Sequence, residues 1–347
     1  MSLRPPDSNE TVARVENVVS PEASGPYTRF QEEARTAAAG LGSGLRSDFA
    51  VVVPALNEAA VIPSLVRELK EAFERYGLQG EVLLVDDGST DDTAEIAMEA
   101  AEGWDRFEVL RHLRNRGKTE AILTAAEHTD RSFLLIFDAD LQHSPDEIPR
   151  FLAKLQEGWE IVCGRKVGEY GKQRVSSIYN RLSQMIFRVP VSDLNSIKAF
   201  RRSILEDVRL RHDWHRFFVV LAHARGHSVT EIDVPLFPRR AGESKYSGRF
   251  RVIVGFIDLL TVWFLLLFSR KPLLLFGGTG LALIVVGLLV GVGALYLRFV
   301  HGLGFRPVLT LVLLLETVGF VLFGFGLVAE MVAQLREEIE ELKRRRK

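Results

Sequence analysis

From Phe49 onward the chain alternates short apolar runs with longer stretches of helical period. The runs are Phe49–Val53, Val82–Val85, Phe107–Leu110, Phe133–Phe137 and Glu160–Cys163. Between them the spacing predicts helices near Ala60–Tyr76, Asp92–Ala101, Lys118–His128 and Pro145–Glu157. Strands that are apolar throughout are buried on both faces, and helix-length connections imply parallel pairing. The expected fold class is α/β with a mostly parallel sheet, over residues 48–238. Ligands of such sheets bind beyond the carboxyl ends of the strands.

The flanks have a different texture. Residues 1–47 are rich in Pro, Ser, Glu, Ala and Gly, without a sustained apolar period. They read as a mobile N-terminal tail with a short helix around Gln31–Ala39. Pro272–Leu297 carries no charged residue, and Pro307–Ala329 only Glu316. Each run exceeds the ~20 residues that cross a hydrocarbon core, so 272–334 is expected to form two transmembrane helices. Their glycines Gly287, Gly291, Gly293, Gly319, Gly324 and Gly326 would let the backbones approach closely. Glu316 reads as a functional intramembrane acid or as a carboxyl facing the partner helix, and the structural role is favoured.

Basic residues crowd both outer flanks: seven between Arg239 and Lys271, and six from Arg336 to Lys347, against Arg298 and Arg306 in the connecting loop. By the positive-inside rule both termini and the first domain face the cytoplasm of a multi-pass cell-membrane protein. Residues 239–271 are expected to hold a mobile loop and interfacial amphipathic helices, since a third span over Val252–Phe268 would separate the basic flanks. Residues 335–347 form a charged cytoplasmic tail. The spans and the tail leave room for a homo-oligomer.

Composition narrows the partners. A net charge of −1 gives no general basic surface for nucleic acid. One cysteine, Cys163, excludes an internal disulfide and a cysteine-rich metal site.

The chemistry lies where strands end. Phe49–Val53 runs into Pro54-Ala55-Leu56-Asn57-Glu58, Val82–Val85 into Asp86-Asp87-Gly88-Ser89-Thr90, and Phe133–Phe137 into Asp138-Ala139-Asp140-Leu141-Gln142-His143. An isolated Asp-Gly-Ser-Thr is usually a turn and cap. Three polar clusters on successive apolar strands can share one crevice. A nucleotide diphosphate-sugar presents two negative charges at the bond that breaks, and a hard divalent cation on carboxylates stabilises that leaving group. A turn beginning at Ala139 is needed to bring Asp138 and Asp140 toward one cation, with Gln142 as a further oxygen donor.

These motifs resemble those of family 2 glycosyltransferases with the GT-A fold. Asp-Ala-Asp-Leu-Gln-His at 138–143, Gly164-Arg165, and Arg239 followed by Gly242-Glu243-Ser244-Lys245-Tyr246 resemble the polyprenyl-phosphate group in particular. That group contains dolichol-phosphate mannose synthases and bacterial undecaprenyl-phosphate sugar transferases. The resemblance covers roughly Phe49 to Phe268. It implies that Pro54, Leu56, Glu58, Val85 and Asp87 surround the base and ribose. Asp138, Ala139, Asp140 and Gln142 would hold the diphosphate and a Mg2+ or Mn2+ ion, and Arg239 and Lys245 would close over the diphosphate. It implies a lipid-phosphate site at Arg165 and Arg174 with Ser177 nearby. Asp140, Arg165 and Lys245 would carry catalysis.

The implied reaction is inverting transfer from a GDP- or UDP-sugar donor to dolichyl or undecaprenyl phosphate. A phosphate monoester is already largely dianionic at neutral pH, so its attack needs no strong general base. Asp193 and Ser196 lie in a segment that lacks the family's usual glycine near Ile197, so no donor specificity is carried over. His212 and His215 have poor metal-ligand spacing. The rivals are a processive polysaccharide synthase, whose Gln-x-x-Arg-Trp segment is absent, and a non-catalytic membrane scaffold.

Overall fold

The structure is a computed structural model that describes residues 25–167, 189–194, 196–208, 210, 214–238, 260, 261, 264, 272–302, 304 and 306–345. Its contacts divide the chain near Gly248 into two compact units.

Among the described residues the first unit is built on seven strands: β1 Phe49–Ala55, β2 Glu81–Asp86, β3 Phe107–Arg111, β4 Phe133–Ile136, β5 Ile161–Val167, β6 Lys198–Arg201 and β7 Val229–Pro235. Their order is β3-β2-β1-β4-β6-β5-β7. Only β6 runs antiparallel to its neighbours, β4 and β5. Phe49, Ala50, Val51, Val52 and Val53 are fully buried, as a central strand covered on both faces requires.

Helix α1 spans Gly25–Gly40, α2 Ile62–Tyr76, α3 Thr93–Ala100, α4 Lys118–His128, α5 Ile148–Gln156 and α6 Phe218–Ala224. Helix α2 shows why the spacing was readable. Ile62, Leu65, Val66, Leu69, Ala72, Phe73 and Tyr76 recur at three- and four-residue steps and are all buried. Pro63 suits its first turn, and Gly77 ends it at φ 60°, returning its N–H to the last turn.

The expected tail is corrected from Gly25 onward. Tyr27, Ala34, Ala38 and Leu41 are buried, and α1 packs on α5. Its buried side chains are mostly alanines, which leave a weak hydrophobic signature in the sequence.

Strand register brings the three polar clusters level. Ala55 pairs with Asp86, and Pro54 with Val85. Val52 pairs with Ile136, and the N–H of Phe137 donates to the Val52 carbonyl at 2.9 Å. Extending that register sets Asp138 beside Pro54.

The second unit contains α7 (Gly278–His301), preceded by a wide π-type turn over Leu273–Gly277, and α8 (Arg306–Arg345). Two stretches, Leu273–His301 and Arg306–Leu335, are long and apolar enough to cross a membrane. Only 17% and 11% of their most apolar windows are buried, unlike core helices of a globular domain. The two helices pack as an antiparallel hairpin through glycines. A Cβ on Gly280 would lie 2.6 Å from the Gly319 carbonyl oxygen, and one on Gly326 2.7 Å from the Gly277 nitrogen. Gly293 and Gly324 meet nothing within 4 Å, which corrects their expected place between the helices. Glu316 faces Gly287 of the partner helix. Most of Val252–Phe268 lies outside the described residues.

Candidate active site

The loops after β1 and β2 are laced together. Ser89 Oγ accepts from the Asn57 N–H at 2.8 Å, and Asn57 Oδ1 accepts from the Thr90 N–H at 2.7 Å. Thr93 Oγ1 accepts from the Glu58 N–H at 2.9 Å. Asn57 sits at φ 52°, a left-handed position that asparagine tolerates better than most residues. Glu58 enters this network through that N–H, and Pro54 and Val85 are paired on the adjoining strands.

Asp87 is buried, and its carboxylate organises the next loop. Oδ1 accepts from the Arg116 N–H at 2.9 Å and lies 2.7 Å from His112 Nδ1, while Oδ2 accepts from the Gly117 N–H at 2.8 Å. Gly88 is required here: a Cβ would meet the Arg114 carbonyl carbon at 2.4 Å. Asp87 thus fastens the turn that delivers Lys118 to the first position of α4.

The turn expected at Ala139 is present. Ala139 and Asp140 form it, and Leu141 follows at φ 52° with its side chain buried. That conformation is costly for a branched residue, on the order of 1–3 kcal/mol, and persists because the core holds Leu141. Asp140 is buried and its Oδ1 accepts from the Gln142 N–H at 3.2 Å. The side chain of Asp138 is about one-third exposed and pairs with the Lys118 ammonium. Burial opposes its ionisation, yet Lys118 outweighs that and holds the carboxyl well below the usual carboxylate range.

Asp138, Asp140 and Gln142 carry hard oxygen donors on one turn, next to the Lys118 ammonium that pairs with Asp138, a chemistry of the kind Mg2+ or Mn2+ takes. Among the described residues no group of three His, Cys, Asp or Glu side chains gathers as a metal cluster. His143 is buried with Nδ1 unpartnered, and burial lowers its pKa to about 4.

Beside Lys118 lies a cavity of about 30 Å³ lined by Ile122, Ile136, Ser196, Lys198 and His215. Ser196 Oγ has no hydrogen-bond partner there, and the buried Lys198 ammonium, its pKa lowered by burial, donates to the Leu194 carbonyl at 2.9 Å. Asp193 Oδ2 lies 3.3 Å from Lys166 Nζ, and His215 Nδ1 lies 3.2 Å from Thr119 Oγ1. Neither histidine spacing nor the Asp193 turn pattern exposes these pairings in the sequence.

Arg165 lies on β5, half exposed, with Nε 2.5 Å from Asp233 Oδ1 and Nη1 3.2 Å from Glu231 Oε1. Its charge is therefore shared with two carboxylates of β7. Arg174, Ser177, Arg239, Lys245 and His212 lie outside the described residues. Sequence reasoning passed over Lys118, His112 and Lys198. The signal for Lys118 was Asn115-Arg116-Gly117-Lys118, a glycine turn that leaves a strand and opens a helix.

The profile of glycosyl transferase family 2 matches residues 50–219. An undecaprenyl-phosphate 4-deoxy-4-formamido-L-arabinose transferase of Klebsiella pneumoniae is 31% identical over 83% of this chain and 89% of its own length. Its namesake from an Enterobacter species is 34% identical over 73% of this chain and 77% of its own. The chain belongs to glycosyl transferase family 2.

Solved structures agree on the architecture of this glycosyltransferase. Glucosyl-3-phosphoglycerate synthase of Mycobacterium tuberculosis with Mn2+, uridine diphosphate and glucosyl-3-phosphoglycerate superposes with a TM-score of 0.53 at 19% identity, covering 72% of this chain and 85% of that one. The same synthase with Mg2+ and uridine diphosphate gives 0.51 at 19% identity, covering 66% and 83%. At that identity the likeness carries the GT-A fold. The α/β class and the glycosyltransferase resemblance both hold.

Proposed function

We propose that this glycosyltransferase moves a sugar from a nucleotide diphosphate-sugar to a polyprenyl phosphate, inverting the anomeric centre. What carries the reading is the acidic turn at 138–142, paired with Lys118, in a chain whose 31–34% identical relatives are named for transfer to undecaprenyl phosphate. The two apolar helices suit a lipid acceptor. Undecaprenyl phosphate and a UDP-sugar are the first pair to try, with dolichyl phosphate and GDP-sugars as the alternatives. The product would be a lipid-linked monosaccharide, a donor for cell-envelope glycan or glycoprotein synthesis.

Asp138, Asp140 and Gln142 would hold Mg2+ or Mn2+. A divalent cation bound there supplies positive charge to the departing diphosphate. Lys118 and the N-terminal N–H groups of α4 add cationic character at the same edge. Pro54, Leu56, Glu58 and Val85 would line the nucleoside, over a floor held flat by the Pro54–Val85 pairing. Asp87 would contribute mainly by holding the Arg116–Gly117 turn.

An oxygen of the acceptor phosphate forms the new bond to the anomeric carbon. The bond from that carbon to the diphosphate breaks, and the nucleoside diphosphate leaves with the electron pair. The residues align two anions and offset their repulsion, and no general base is needed. Arg165, with Arg174 and Ser177, would receive the lipid phosphate, and Arg239 and Lys245 the diphosphate. The basic flanks suit a cytoplasmic catalytic unit and cytoplasmic termini.

The test is a panel of radiolabelled nucleotide-sugars incubated with purified protein and undecaprenyl or dolichyl phosphate. One donor should place label in the organic phase as a mild-acid-labile lipid. Label appearing only in long glycan chains would point to a polysaccharide synthase.

A further inference from the structure

We propose that α1 is a working part of the donor site, with Tyr27 a positioning residue for Gln142. This rests on the reading of Asp138, Asp140 and Gln142 given above. Tyr27 is buried, and its hydroxyl lies 2.7 Å from Ser144 Oγ and donates to Asp146 Oδ2 at 2.9 Å. Both partners follow closely on Gln142 in the same loop. The Tyr27 ring meets the Phe237 ring edge-on, with centroids 5.1 Å apart at 79°. Phe237 in turn grips Gln142 from both sides of its backbone. Its N–H donates to the Gln142 carbonyl at 2.9 Å, and its own carbonyl accepts from Gln142 Nε2 at 3.5 Å.

That last contact has chemical meaning. A carboxamide ligates a hard cation through oxygen, and turning Nε2 to a backbone carbonyl leaves Oε1 as the end that is offered. Tyr27 therefore reaches the Gln142 loop by two routes, through Ser144 and Asp146 and through Phe237.

The helix itself is anchored well enough to serve as a fixed point. Asp146 Oδ1 accepts from Arg75 Nη1 of α2 at 2.9 Å, and Arg150 of α5 bridges Glu33 of α1 at 2.8 Å to the Asp233 carbonyl, also at 2.8 Å. Ala34 and Ala38 also bury the apolar face of α1. The polar contacts of Tyr27, by contrast, end on the loop that carries the donor set.

The experiment is Mn2+ binding by the full-length protein in detergent with uridine diphosphate present, following free Mn2+ by electron paramagnetic resonance. Tyr27→Phe keeps the ring and removes the hydroxyl. It should weaken Mn2+ about tenfold, as loss of a group that orients a ligand does. Its KM for polyprenyl phosphate should hardly move. Ala34→Gly, which loosens α1 without touching these contacts, should lower the melting temperature and leave Mn2+ affinity unchanged. Wild-type binding with an unaltered Tyr27→Phe affinity overturns the proposal and leaves the donor-site reading standing. So does a loss of affinity that merely tracks melting temperature across both variants. A wild-type protein that binds no Mn2+ with the nucleotide overturns the donor-site reading and this proposal together.

Discussion

Lys118 and Asp138 form an ion pair at the carboxyl edge of the sheet, joining the first turn of α4 to the loop after β4. Both side chains are about one-third exposed, so a donor can reach them. Lys118→Met should lower kcat/KM for the nucleotide-sugar on the order of 10²-fold, the scale of losing one preorganised charge contact. The lipid-phosphate KM should change little. Steady-state kinetics with each substrate varied in turn checks this, and an unchanged donor kcat/KM would remove Lys118 from the site.

Arg165 raises a different question, because Asp233 and Glu231 already share its charge. Half-exposed pairs of this kind are weak enough for a phosphate to compete. If Arg165 receives the lipid, Asp233→Asn should lower the KM for polyprenyl phosphate about threefold and Arg165→Ala should raise it by about tenfold. Identical acceptor KM values in both variants would make Arg165 a strand-pairing residue only.

Glu147 is fully buried with Oε1 unpartnered, although Arg150 contacts its other oxygen. Burial raises its pKa from 4.5 to about 7. A folded-state pKa above the unfolded one gives stability that is full below about 4.5 and lost as pH rises through about 7. Glu147→Gln, which stays neutral, should therefore gain on the wild type between pH 5 and pH 8, by roughly 1–3 kcal/mol. Chemical denaturation at both pH values measures it, and a pH-independent difference would contradict the assignment.

The helix hairpin gives a paired prediction. Gly280→Leu would drive a side chain into the Gly319 carbonyl, whereas Gly324 has open space. Gly280→Leu should cost about 1–3 kcal/mol as overpacking, visible as a lower melting temperature in detergent. Gly324→Leu should be silent. Equal effects would mean that the two helices pack through other faces.

How much of this was readable in the sequence depended on whether the signal was local. The apolar run Phe49–Val53 announced a central strand, and Lys118–His128 was bounded as a helix at both ends as observed. Strand β6 was invisible because Lys198-Ala-Phe-Arg201 is short and opens on a charge. Strand β7 mixes Thr230, Glu231 and Asp233 with its apolar residues, as an edge position allows. Asp138 and Asp140 stood out because a strand ended on them. The Lys118 partnership and the carboxylates around Arg165 could not be seen, since both arise from elements that only the sheet brings together. Helix α1 was legible only as a short helix around Gln31–Ala39 within a tail, because its buried face beyond Tyr27 is made of alanines.

If the acids after β4 hold a divalent cation, lipid-directed transfer depends on that ion. The most direct measurement is transfer of radiolabelled sugar to undecaprenyl phosphate by wild type and Asp140→Ala, each with Mn2+ and with excess chelator. Lipid-bound label should appear only for wild type with Mn2+, with the variant folded but at background. Full labelling in chelator, or by Asp140→Ala, would contradict it.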